Sequence, residues 1–130
     1  MHIEIFSLCD AATVEGGKLN ILGAFDTIVA SKAPVTHPHC AVALRFRFNS
    51  IEGNEHKVSV RFVDVDGGHV IPTVNGVIKV KYAKEHRSTS THLVLNVQGL
   101  KIKNFGEYSI DLMVNGKSKA SLPFFVRQQK

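Results

Sequence analysis

Four stretches of the chain bring together residue types that can do chemistry. His37-Pro-His39-Cys40 sets three metal donors within four residues. In an extended segment alternate side chains share a side, so His37 and His39 are expected to face one way, as two ligands of a zinc or copper ion must. Two ligands do not complete a tetrahedral site, and His69, His86 or His92 would have to arrive from elsewhere in the fold. The competing expectation is a polar loop ahead of a core strand that buries Cys40. Asp64-Val-Asp66-Gly67-Gly68 begins like a calcium loop but has Gly68 and Asn75 where the third oxygen ligand and the bidentate glutamate belong, so it is read as a turn. Glu15-Gly-Gly-Lys18 resembles a phosphate loop only superficially. Ala12 stands where its first glycine should be, Leu19 follows the lysine, and no helix comes next. No nucleophile elbow or metalloprotease pattern occurs, and no cofactor motif is present.

The fourth set is electrostatic. Arg45 and Arg47, Lys57 and Arg61, Lys79 and Lys81, and Lys101 and Lys103 each occupy alternate positions, so each pair lies on one face of a strand. The formal charge of +5 admits an acidic partner such as nucleic acid. However, basic residues are spread over most strands, no long run of like charge occurs, and Trp is absent, which leaves little for stacking on bases. Solubility and edge protection by lysine account for the same residues.

The elements that would position these residues are strands throughout. Cys40, Val42, Leu44, Phe46 and Phe48 alternate with Ala41, Ala43, Arg45 and Arg47. Val58, Val60 and Phe62 continue the buried set after a turn at Asn49 to Asn54. Ile78, Val80 and Tyr82 alternate with Lys79 and Lys81, and Ser88 to Gln98 buries Leu93, Leu95 and Val97. An opening hairpin is expected from Ile3 to Leu8, a Gly16-Gly17 turn, and Lys18 to Asp26, with a bulge at Gly23. Ala30 to His39, with two prolines, reads as a crossover loop between sheets. The last quarter forms a hairpin in which Tyr108, Ile110, Leu112 and Val114 face the same side as Ala120, Leu122, Phe124 and Val126. A two-residue Asn115-Gly116 turn would set even residues opposite odd ones and expose one apolar set. A three-residue connection, Val114-Asn115-Gly116 with Gly116 left-handed, is therefore expected. Pro123 marks an edge, a bulge or a place where another chain docks.

Nowhere do apolar residues recur at helical spacing. The turns delimit about eight or nine strands, so the fold class expected is an all-β antiparallel sandwich forming a single domain over residues 1–130. Gly106-Glu-Tyr108 at the entrance to the penultimate strand resembles the tyrosine corner of immunoglobulin-like domains. This implies an immunoglobulin-like architecture in which the phenol bonds back to the chain upstream. Cys9-Asp10, Ala12, Gly17-Lys-Leu-Asn-Ile21, Gly23 and Phe25-Asp26 resemble the leading signature of an uncharacterised family of small microbial proteins. That resemblance implies a single β-sandwich and supplies no catalytic or binding residues.

Cys9 and Cys40 are too few for a disulfide framework. The start at Met1 enters a strand pattern without a basic leader, and no stretch reaches the ~20 apolar residues of a membrane span, so a cytoplasmic chain away from the membrane is expected. The function expected is a non-enzymatic binding module that engages a protein partner or self-associates. The alternatives are the His37 and His39 metal site and a nucleic-acid contact through the basic strand faces.

Overall fold

Strict alternation in the sequence becomes nine strands: β1 (His2–Glu15), β2 (Lys18–Ala24), β3 (Thr27–Ala30), β4 (Val35–Asn49), β5 (Glu55–Asp64), β6 (Val74–Lys79), β7 (Ser88–Ile102), β8 (Gly106–Val114) and β9 (Lys117–Gln128). A single 3-10 turn, Ser50–Glu52, is the sole helical element. The structure is a computed structural model that describes residues 1–130. The strands form two packed sheets, β2-β1-β4-β7 and β3-β9-β8-β5-β6, so the all-β sandwich read from the sequence is the fold. All pairings are antiparallel except that of β3 with β9, which is parallel.

One continuous core fills the space between the sheets. Leu44, Phe46 and Phe48 of β4 meet Val60 and Phe62 of β5, Ile110 and Leu112 of β8, and Phe124 of β9. Burial of such side chains contributes about 1.5–3 kcal/mol each before entropy is counted. The tyrosine at the start of β8 is half of a local clasp, its hydroxyl donating to the Asn104 carbonyl at 2.6 Å.

The closing hairpin departs from expectation in an instructive way. Its connection is Asn115-Gly116 alone, with φ of +52° and +79°, and Val114 pairs with Lys117. This doubly left-handed turn has the twist that flanking strands prefer. Parity is restored inside the strands instead: Met113 pairs with Ser118 but Leu112 with Ala120, which leaves Lys119 as an extra residue in a bulge. The three-residue loop is thus replaced by a two-residue turn plus a bulge, and both apolar sets reach the core.

The crossover between sheets is also shorter than expected. β3 runs to Ala30 and β4 begins at Val35, so His37, Pro38 and His39 lie in a strand. Within β4 the inward parity changes. Val35 and Cys40 are both in the core although their positions differ by an odd number, and across the ladder Val97 and Leu100 show the same change. The switch sits at Pro38 and Gly99, the latter at φ +62°.

A related kink shapes the first hairpin. β1 pairs with β4 only as far as Cys9, and beyond that point β1 and β2 continue as a ribbon closed by Gly16-Gly17. Gly23 has φ +68°, yet the register across it is continuous, so it is a bend opposite Asp10 and not the expected bulge. Past the bend Ala12 and Leu19, together with Val94 of β7, pack on Cys9, Ala41 and Ala43, on the outer face of the first sheet. Ala41 and Ala43 have the outward parity and are nonetheless fully buried, because the ribbon curls over them. Their single methyl side chains are what let two backbone layers approach.

Candidate functional site

Sheet edges carry unpaired backbone donors and acceptors, and natural sandwiches blunt them with lysine, proline, bulges or short length. Three edges here follow that rule. β3 has four residues and covers β9 only from Phe125 to Gln128. The rest of the β9 edge carries Lys117, the bulged Lys119 and Pro123. Phe125 N–H donates to Asp26 on the β3 side, so by alternation the missing N–H of Pro123 would have pointed into the uncovered stretch, where it leaves no gap in a ladder. β6 is short and ends at Lys79, and β2 is short, begins at Lys18 and bends at Gly23.

β7 breaks the rule. From Ser88 to Leu100 it contains no Lys, Arg, Asp, Glu or Pro, and it pairs along its whole length with β4 alone. No backbone hydrogen bond from outside β4 reaches it. Ser88 to Leu95 are all partly exposed on both parities, including Leu93 and Leu95, which lean on the core. The outward N–H and C=O groups of the uncharged stretch Ser88–Leu100 are therefore open to another strand.

The outer face beside this edge holds a charged network. A bulge at Glu4 separates the Ile3–Phe46 and Ile5–Arg45 pairs. The Glu4 carboxylate accepts from Arg45 Nε at 2.7 Å and from Arg47 Nε at 2.9 Å. These bonds hold the Glu4 carboxyl down at about 2. Arg45 Nη1 donates to His92 Nε2 at 3.2 Å, which leaves the ring proton on Nδ1. Desolvation first and the Arg45 charge second lower the His92 pKa, so the ring stays neutral at pH 7. Arg47 Nη1 donates to Ser88 Oγ at 3.2 Å, tying the first residue of β7 to the sheet.

The remaining sequence candidates fall in separate places. His37 shares the parity of Val35 ahead of the switch and His39 lies beyond it at the level of Gln98. The His37 ring sits 5.7 Å from Phe25, with its Nε2 buried and unbonded. His92 is in the arginine network, His86 in an exposed loop, and His69 in a recess of about 140 Å³ with Asp64, Lys101, Lys103 and Tyr108. No group of three or more His, Cys, Asp or Glu gathers anywhere, so no third donor is brought to the His37 and His39 motif. Asp64 acts as a turn residue, its carboxylate accepting from the N–H groups of Asp66 and Gly68. Glu15 and Lys18 flank the tight turn of the first hairpin. Of the basic pairs, Arg45 and Arg47 share Glu4, while Lys57 and Arg61 lie on the other sheet.

Cys9 and Cys40 are free and buried, and desolvation raises the Cys40 thiol to about 11. No helix is long and apolar enough to cross a membrane.

Sequence reading missed the β7 edge because adjacency in a sheet is not written in one strand. The signal was present all the same: Ser88–Gln98 has no charged residue in a chain that is 21% charged, which is unusual for a strand left at an edge.

The geometry defines a nine-stranded β-sandwich with one open edge. The chain belongs to a family described as Family of unknown function (DUF6941), which matches residues 4–127. Among curated proteins nothing matches. Among solved structures it is similar to the Pseudomonas fluorescens alkylpurine DNA glycosylase AlkC bound to DNA containing an abasic site analog. That likeness has 12% identity and a TM-score of 0.44, and covers 94% of this chain and 30% of that one. The chain thus spans less than a third of the length of that enzyme.

Proposed function

We propose that the protein is a non-enzymatic interaction module that adds an extended strand of a protein partner to β7. The observation that carries this is the stretch Ser88–Gln98, whose outward backbone groups have no partner while every other edge is shortened, charged, bulged or interrupted. Main-chain hydrogen bonds would supply affinity, and the half-exposed Leu93 and Leu95 would supply the apolar contact. The module is a single domain, and we read its architecture as immunoglobulin-like. The Tyr108 clasp supports that, as does the run β9-β8-β5-β6 in one sheet, which matches the order of the last two strands and the central pair in variable-type domains. Two free buried thiols fit a reducing, cytoplasmic setting.

A photo-reactive side chain placed at Asn96 in β7, with a control at Lys79 in β6, tests the reading in the native host. Discrete cross-links from the β7 position and none from β6 are expected. Absence of any β7 cross-link would sink the proposal.

A further inference from the structure

We infer that the strand added to β7 is the β7 of a second copy of this chain, antiparallel about a two-fold axis at Leu93. The inference rests on reading β7 as the contact strand and names its occupant.

Antiparallel pairing of a strand with its own copy matches residue i with a residue whose number makes a constant sum. The part of the uncharged stretch of β7 ahead of the parity switch at Gly99, Ser88–Gln98, overlays itself completely only when Leu93 lies on the axis. Charge decides for this edge. Self-pairing there opposes no like charges, whereas the β9 edge would bring Lys117 and Lys119 to its copy and β6 would bring Lys79. The same axis carries the Lys101 end of one copy towards the Glu85 end of the other.

The face parity agrees as well. Inward residues meet inward residues, with Leu93 opposite Leu93 and Leu95 opposite Thr91, so the two leucines left half-covered at the edge are closed over. Outward residues meet outward residues, with Ser90 opposite Asn96 and His92 opposite Val94. The first sheets of two copies become one continuous sheet, and the pairing is isologous and closed, so it stops at a dimer.

Ser90 and Asn96 lie on the solvent side, and their opposition gives a test specific to this register. Sedimentation equilibrium of the purified chain is expected to show a concentration-dependent dimer. Ser90→Lys with Asn96→Lys sets like charges opposite at both symmetric positions and should raise the dimer dissociation constant roughly tenfold. Ser90→Lys with Asn96→Glu sets opposite charges there and should restore wild-type dimerisation. In the unmodified chain, amide exchange in Ser88–Gln98 should slow as concentration rises, a readout that needs no variant. A wild-type chain that stays monomeric up to ~1 mM, weaker than any interface of useful affinity, overturns the second copy as occupant. The cross-link from Asn96 then decides separately whether β7 binds another protein. A dimer weakened equally by both double variants, or one without β7 protection, overturns the Leu93-centred pairing.

Discussion

Asp10 lies directly over Gly23: a Cβ built on the glycine would stand 2.9 Å from the Asp10 carboxyl carbon. Gly23 also has φ +68°, a conformation that costs an L-residue about 1–2 kcal/mol. These two features let β1 and β2 bend together and lay the ribbon over the first sheet. Gly23→Ala is therefore expected to lower stability by about 2 kcal/mol or more. In an Asp10→Ala background the loss should shrink to the backbone part alone. Urea denaturation of the four proteins measures the difference, and equal losses in both backgrounds would show that the carboxylate swings aside freely.

Asn115 does more than supply a left-handed turn residue. Its Oδ1 accepts from Lys57 N–H at 2.9 Å, and its Nδ2 donates to His56 Nδ1 at 2.9 Å. His56 is 2% exposed, stacks on Phe48 with ring centres 4.0 Å apart, and donates from Nε2 to the Gly53 carbonyl at 3.2 Å. Because that carbonyl can only accept, the ring proton is on Nε2 and Nδ1 accepts from the amide. Asn115→Gly keeps the backbone conformation and removes both side-chain bonds. We expect a loss of about 1–3 kcal/mol, since a buried acceptor is left unpaired. His56→Gln, which retains polarity but not the stack, should cost a comparable amount; an unchanged urea midpoint for Asn115→Gly would mean water replaces both bonds.

Much of this architecture is legible in period-two patterning. The β4, β5 and β8 cores and the Gly16-Gly17 turn follow from side-chain alternation and turn chemistry, which are local, and the Tyr108 clasp is what the resemblance to a tyrosine corner implies. What escaped reading is where strands bend. The sequence of β4 shows Ala41 and Ala43 on the outward parity, and nothing local says that Leu19 and Ala12 will cover them. The inward parity switch at Pro38 and Gly99 likewise needs both strands to be seen together, and it undoes the simple alternation on which the His37 and His39 geometry was based. The bulge at Lys119 shows the same limit: parity demanded one extra residue, but the turn and the strand were both able to hold it, and turn twist decided.

The Glu4 network gives stability a definite pH window. Side-chain bonds from Arg47 first and Arg45 second depress the Glu4 pKa from 4.5 to about 2. A carboxylate depressed on folding contributes stability that is complete above its unfolded value and is lost as pH falls through the folded one. The melting-temperature gap between wild type and Glu4→Gln should thus be constant from pH 7 to about 4.5 and close towards pH 2. His92, held neutral by desolvation and Arg45, acts in the same direction at higher pH: its contribution is full above 6.5 and declines as pH falls below it. Replacing His92 by Gln should flatten that part of the curve and leave the acid limb to Glu4. A Glu4→Gln gap that does not change between pH 5 and pH 2 would mean that the ion pairs carry no stability.

The ribbon over the first sheet makes Ala43 a sensitive position. Patterning alone places it on the same strand face as Arg45 and Arg47, where a larger side chain would be harmless. In the fold it is fully buried beneath the ribbon, in contact with Cys9 and Ala41 and beside Val94. Overpacking of a filled site forces backbone shifts worth about 1–3 kcal/mol. Here the backbone with the least support is the ribbon, which past Cys9 pairs only with itself. Ala43→Leu should therefore lower stability by that amount and speed amide exchange selectively across residues 11–22, while the β5 and β8 amides keep their protection. The same enlargement at exposed Asn20, on the ribbon but away from the sheet, should change stability by no more than ~0.5 kcal/mol. If Ala43→Leu behaves like Asn20→Leu, the ribbon does not rest on the sheet in solution, and Ala41 and Ala43 are small for some other reason.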